Sequence, residues 1–192
     1  MQQIVLWILI VVMAIYIRQI ATGDSVPNPA TWLVMSVVGV INAITYGVTI
    51  HWDLWPTLVG AVPAVGIIIT FLFSYLRGKF SPLGTREKWV IGIAMASVVV
   101  WRTVGADVGN IVVQIIFLVA FWPTAAQIIR GRKEKSLPWD LALVAYTLMA
   151  VSLFLDKRPS LFSREIAMMA YPFSRILMNG TIAVLCRLKK VV

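Results

Sequence analysis

Three residues near the end of the chain have types and spacing suited to binding chemistry. Pro172, Arg175 and Asn179 recur at steps of three and four, which puts them on one helix face. They lie in an apolar stretch, where an arginine near the centre costs about 2.5–3.5 kcal/mol on insertion scales. A cation kept there has two readings. It faces a cavity and binds an anionic or polar substrate group, or it snorkels or pairs structurally with another helix. Other polar residues interrupt apolar stretches in the same way. Thr70 follows Pro63 by the same interval that separates Asn179 from Pro172. Asn42 and Tyr46 share a face with Gly39, Asn110 and Gln114 share another, and Tyr146 stands mid-run. Each lines a solute path or bonds a neighbouring helix, the latter worth about 0.6 kcal/mol on average. The candidate substrate-binding set is Arg175, Asn179, Thr70, Asn42, Tyr46 and Tyr146.

Proline supplies a second kind of candidate. Pro63, Pro123 and Pro172 fall inside apolar runs, where each removes a backbone donor and loosens the helix. They are hinges for alternating access in a carrier, or kinks in a static protein. Pro63 and Pro172 make the better hinge pair. Catalytic chemistry has little to work with. One histidine, His51, and one cysteine, Cys186, leave no metal cluster and no intrachain disulfide. No nucleophile stands beside a base, and no nucleotide loop is present, so neither an enzyme nor a cofactor is expected. Asp107 and Asp140 open apolar runs, where capping is the simplest role. Proton coupling through either would need desolvation as well.

These residues must be positioned by helices in lipid. Of 192 residues, 60% are hydrophobic and 13% charged, too much apolar surface for water alone to solvate. Apolar runs cover about 4–20, 30–50, 55–76, 88–105, 108–129, 138–155 and 165–186. All seven are read as long enough to span, since a crossing takes roughly 20 residues, with 17 to 25 acceptable. Pro27-Asn28-Pro29, Pro56, Ser81-Pro82-Leu83-Gly84, Leu137-Pro138 and Pro159 punctuate the connections. The first run has no basic residue before it and Arg18 after it, so it reads as a retained helix.

A net charge of +9 would suggest nucleic acid in a soluble chain. Here the basic residues cluster at run ends, so nucleic acid is not expected as a partner. With seven spans, one face holds Arg18, Arg77, Lys79, Arg86, Lys88, Arg130, Arg132, Lys133, Lys135, Arg187, Lys189 and Lys190. The other holds Arg102, Lys157, Arg158 and Arg164. The positive-inside rule then puts the C-terminus in the cytoplasm and the N-terminus outside, in a bacterial-style inner membrane. Trp32, Trp52, Trp55, Trp89, Trp101 and Trp139 lie near run ends and read as interfacial anchors. Trp122 lies deeper, as a gate or as packing.

The chain also repeats itself. Gln19, Ile20 and Gly23 match Gln127, Ile128 and Gly131, and one further residue in the second loop brings Pro29 onto Pro138 and Pro63 onto Pro172. Two parallel copies of a three-helix unit require an odd linker crossing. The expected fold is an all-α integral membrane protein with seven transmembrane helices, arranged as two three-helix bundles joined by a linker helix (3+1+3). Residues 1–78 form the first repeat, 79–106 the linker helix and 107–192 the second repeat. Carriers of this plan place the solute path near the midplane between the halves.

This plan, with Ala126-Gln127-Ile128-Ile129-Arg130 followed by Lys135-Ser136, resembles the SWEET and PQ-loop superfamily. The family pattern has a Pro-Gln pair near the cytoplasmic end of each bundle's first helix and a Lys-Ser pair soon after. Here Ala126 replaces the second proline, with Pro123 three residues earlier, and Arg18-Gln19 is the first copy. Ala64 and Phe173 stand where SWEET-type sugar sites carry asparagine. The resemblance implies a facilitative carrier of a small polar solute, of sugar or amino-acid type, working by alternating access. It also covers non-transporting receptors and assembly proteins, the alternative reading. Expected partners are the lipid bilayer and the solute. Such proteins work as seven-helix units and many assemble further, so a homo-oligomer is compatible with it.

Overall fold

The computed structural model describes residues 1–27, 29–76, 85–131, 133–157 and 164–188. Within them run seven helices: α1 (Gln2–Thr22), α2 (Pro29–Thr49), α3 (Leu54–Leu76), α4 (Thr85–Val104), α5 (Ala106–Ile129), α6 (Leu137–Lys157) and α7 (Arg164–Leu188). The start and stop signals act as their chemistry dictates. Pro29, Pro56 and Pro138 fall in first turns, where the missing N–H has no intrahelical partner to lose. Gly23 closes α1 at φ 77°, and its N–H and that of Asp24 bond to Ile20 O and Gln19 O. Gly131 follows α5 at φ 104°, so both matched glycines adopt a left-handed conformation. Asn28, the stretch 77–84, Arg132, 158–163 and 189–192 lie outside the described residues. With them go the expected turns at Ser81-Pro82-Leu83-Gly84 and Pro159, and part of the charge tally. The side chains of Arg86, Trp101, Lys157 and Arg164 also lie outside the description.

Five helices, α1, α2, α3, α5 and α6, are long and apolar enough to cross a membrane. This corrects the expectation that all seven qualify, and the two exceptions fall short for different reasons. In α4, Arg86, Glu87 and Lys88 at one end and Arg102 near the other leave only 89–101 free of charge. α7 carries its polar groups mid-helix. Ser174, Arg175 and Asn179 are buried, while Ile166, Phe173, Leu177, Val184 and Leu188 are exposed. The helix is therefore amphipathic inside out, with apolar side chains outward and polar ones inward.

The helices close into a ring. α1 packs on α3, α3 on α2, α2 on α5, α5 on α7, α7 on α6, and α6 back on α1. α4 lies against α5 and α2. Exchanging α1, α2 and α3 for α5, α6 and α7 maps each of these six ring contacts onto another. Two buried apolar clusters fill the ring. One gathers Tyr16, Trp32, Phe117, Phe121 and Trp139; the other gathers Leu9, Tyr46, Tyr146 and Tyr171.

At the end carrying Arg18, Arg130 and Arg187, the loops after α1 and α5 join directly. Val26 N–H donates to Lys133 O at 3.2 Å, and Lys135 Nζ pairs with Asp24 at 2.9 Å. Asp140 at the start of α6 pairs with Arg187 at the end of α7, at 2.7 Å.

Candidate functional site

The ring encloses a cavity of about 60 Å³, lined by α1, α2, α3, α5, α6 and α7. Such a space exceeds the roughly 10–15 Å³ needed to admit a water, and at about 30 Å³ per liquid water it is room for a few small groups. Most of its wall is apolar: Leu9, Val12, Met35, Ala64 and Ile67 contribute. The polar part comes from Arg175, Asn179, Asn42 and Tyr146, all buried.

Arg175 is only 4% exposed. Its guanidinium carbon stands 3.5 Å from the centre of the Phe117 ring and 5.1 Å from that of Tyr171. A desolvated cation over an aromatic face gains about 2 kcal/mol or more. The ring faces thus hold the charge where a structural ion pair would otherwise be needed. Among the described residues no carboxylate comes within salt-bridge distance of it, and the one side-chain hydrogen-bond acceptor it reaches is Met178 Sδ, at a long 3.9 Å. Snorkelling is excluded by its burial.

Behind the cavity runs a hydrogen-bonded chain across three helices. Asn110 Nδ2 donates to Ala167 O at 2.7 Å. Gln114 Nε2 donates to Asn110 Oδ1 at 2.9 Å and to Asn42 Oδ1. Ser174 Oγ lies 2.9 Å from Gln114 Oε1. Both amides of α5 thereby bind α2 and α7, the packing role open to them from sequence.

Aromatic groups narrow the cavity toward each end. On the basic side Tyr16 stacks on Trp32 at 5.2 Å and meets Trp139 edge-on at 5.5 Å, and Phe121 meets Trp139 at 5.4 Å. On the other side Tyr171 lies 4.7 Å from Tyr46 and 5.8 Å from Tyr146. Trp32 and Trp139 are 4% and 6% exposed and line the cavity, which corrects their reading as interfacial anchors. Trp122 is 60% exposed and points away from the ring interior, so it is neither gate nor packing.

Glu134 secures the basic side. It accepts from Trp139 Nε1 at 2.9 Å, and burial pushes its carboxyl up to about 7, while Trp139, Tyr16 and Ser25 hold it back from rising further. Asp24 in the joined loop is shifted the other way, lowered by its hydrogen bonds from Lys135 and Thr22.

The candidates named from sequence divide accordingly. Arg175, Asn179, Asn42, Tyr146 and Pro63 line one cavity. Thr70 is buried but does not line it; its hydroxyl donates to Gly66 O, one turn back in its own helix, at 2.8 Å. Among the described residues no hydrogen bond joins Asn179 to Thr70; Asn179 Nδ2 donates to Arg175 O at 2.7 Å. Tyr46 is fully buried on Gly60 and against Tyr171, one layer behind the wall. Pro172 and Pro123 lie within α7 and α5 away from the lining. Phe117, Tyr171 and Glu134 escaped sequence reasoning. Tyr171 sits one turn before Arg175 and could have been found by that spacing. Phe117 looks like any core aromatic, and Glu134 hides between Lys133 and Lys135.

Compared with known families, characterised proteins and solved structures, the chain matches none.

Proposed function

We propose that this is an integral membrane carrier of SWEET/PQ-loop type, moving a small polar solute through the central cavity by alternating access. The supporting observation is the cavity itself, drawn from six helices and holding a buried arginine without a counter-ion among the described residues. The Phe117 and Tyr171 rings offset part of that charge, and a transient anionic or polar solute would offset the rest.

Two further features support the reading. The ring contacts interchange between α1–α3 and α5–α7, as two parallel copies joined through α4 would require. The aromatic clusters at the two ends suit gates that open in turn, and Pro63 in the wall is placed to act as a hinge. The basic end is assigned to the cytoplasm of a cell membrane, with the N-terminus outside.

Uptake into proteoliposomes tests this. A panel of sugars, amino acids and small organic acids should include a solute whose entry depends on the protein and is lost in Arg175→Ala. A panel with no flux, and a correctly folded Arg175→Ala with an unchanged cellular role, favours a receptor or assembly protein.

A further inference from the structure

The polarity of the buried hydrogen bonds tells what charge the cavity is built to accept. The chain of amides starts at a backbone carbonyl, which can only accept. Ala167 O therefore fixes Asn110 Nδ2 as the donor and leaves Asn110 Oδ1 as an acceptor. Gln114 must then present Nε2 to Asn110, so its Oε1 accepts from Ser174 and its second amide proton goes to Asn42 Oδ1. With Oδ1 engaged, what Asn42 has left for the cavity is Nδ2, a donor with no protein acceptor among the described residues. Arg175 adds guanidinium N–H groups, without a carboxylate among the described residues. Asn179, its Nδ2 spent on Arg175 O, leaves Oδ1 as an acceptor in the same wall, but the N–H groups of Arg175 and Asn42 outnumber it and a positive charge stands among them.

Size and wall chemistry narrow the choice. At about 60 Å³ the cavity has room for only a few small groups, which favours a solute smaller than a hexose. Most of the remaining wall is apolar, which suits a short apolar tail and not a fully hydrated ion.

We propose that the cavity binds a small carboxylate with a short aliphatic tail. The carboxylate sits against Arg175 and the Asn42 amide, and the tail lies among Leu9, Val12 and Ile67. This rests on the cavity being the solute site of the proposed carrier. Phe117 and Tyr171 act as positioning residues, holding the guanidinium in place before the anion arrives.

The test uses the full chain in detergent at constant ionic strength, with propionate against its neutral isostere propionamide, and with formate and nitrate as further anions. Propionate should raise the melting temperature, propionamide should bind at least tenfold more weakly, and formate should fall between them. Arg175→Gln should abolish the propionate shift while its ligand-free melting temperature stays level or rises, because an unpaired buried charge has been removed. Should that variant fail to fold, Asn42→Asp replaces it: its carboxylate still accepts from Gln114 but carries negative charge into the cavity, and the shift must vanish. Equal shifts from propionamide, or a propionate shift that survives in a folded variant, overturn the proposal. A nitrate shift as large as that from propionate overturns the carboxylate assignment. Propionate binding without passage into proteoliposomes keeps the site and refutes the carrier. Passage of a neutral solute with no propionate binding keeps the carrier and refutes the site.

Discussion

The guanidinium carbon of Arg175 rests 3.5 Å above the centre of the Phe117 ring, joining α7 to α5 at the wall of the cavity. The contact holds an unpaired charge in a buried position by ring electrostatics. Phe117→Leu should remove that attraction and leave part of the ring's volume empty, costing about 1–3 kcal/mol. Phe173→Leu, on the exposed face of the same α7, should change stability by less than about 0.5 kcal/mol. Thermal melts of the two variants in one detergent check the contrast.

Gln114 is the hub on which α2, α5 and α7 meet. Gln114→Leu strands Asn42 Oδ1 and Asn110 Oδ1 at once, while the Ser174 hydroxyl keeps Tyr171 O at 2.8 Å, and each stranded group costs about 1–3 kcal/mol. The variant should be among the least stable single substitutions, with a loss of at least about 2 kcal/mol. Denaturant unfolding followed by helical circular dichroism measures it.

Thr70 gives the opposite expectation. Its hydroxyl serves only its own helix, at Gly66 O. Thr70→Val should cost less than about 1.5 kcal/mol and leave solute binding unchanged. A binding titration of the variant that departs from the wild-type curve would show that Thr70 reaches the solute after all.

Glu134 predicts a pH dependence with a definite sign. Its carboxyl is raised from an ordinary 4.5 to about 7, so the folded chain favours the protonated form. The stabilisation is complete below 4.5 and is lost as pH rises toward and through 7, amounting to about 3 kcal/mol at most. Glu134→Gln keeps an acceptor for Trp139 and does not ionise, so the variant should gain on the wild type as pH goes from 5 to 8. Melting temperatures of both proteins across that range, taken as a difference, test this. A constant difference would mean that Glu134 titrates normally.

The seven helices were legible because apolar runs and proline or glycine punctuation are local signals. Pro29, Gly23 and Gly131 each act where the sequence places them. Arg175 and Asn179 were legible as inward-facing polar residues, and both line the cavity, because a polar group in an apolar run needs a local explanation. The partners were not legible. That Phe117 lies under Arg175 depends on how α5 meets α7, and the sequence pattern of α5 marks it only as apolar. Thr70 does not reach the cavity because its hydroxyl is satisfied within its own helix, whereas the guanidinium of Arg175 reaches the Phe117 ring on a neighbouring helix. Trp32 and Trp139 misled because position near a run end looks the same for a side chain aimed at lipid headgroups and one aimed inward.

Access to the cavity from both faces is the most direct measurement of the central claim. Ala142 lines the cavity and is buried, so Ala142→Cys in a Cys186→Ala background places a lone thiol there. Oriented vesicles, right-side-out and inverted, are treated with a membrane-impermeant anionic thiol reagent. An alternating-access carrier predicts labelling from both sides, slowed by bound solute in each case. Labelling from one side only, or from neither in the folded protein, would contradict it.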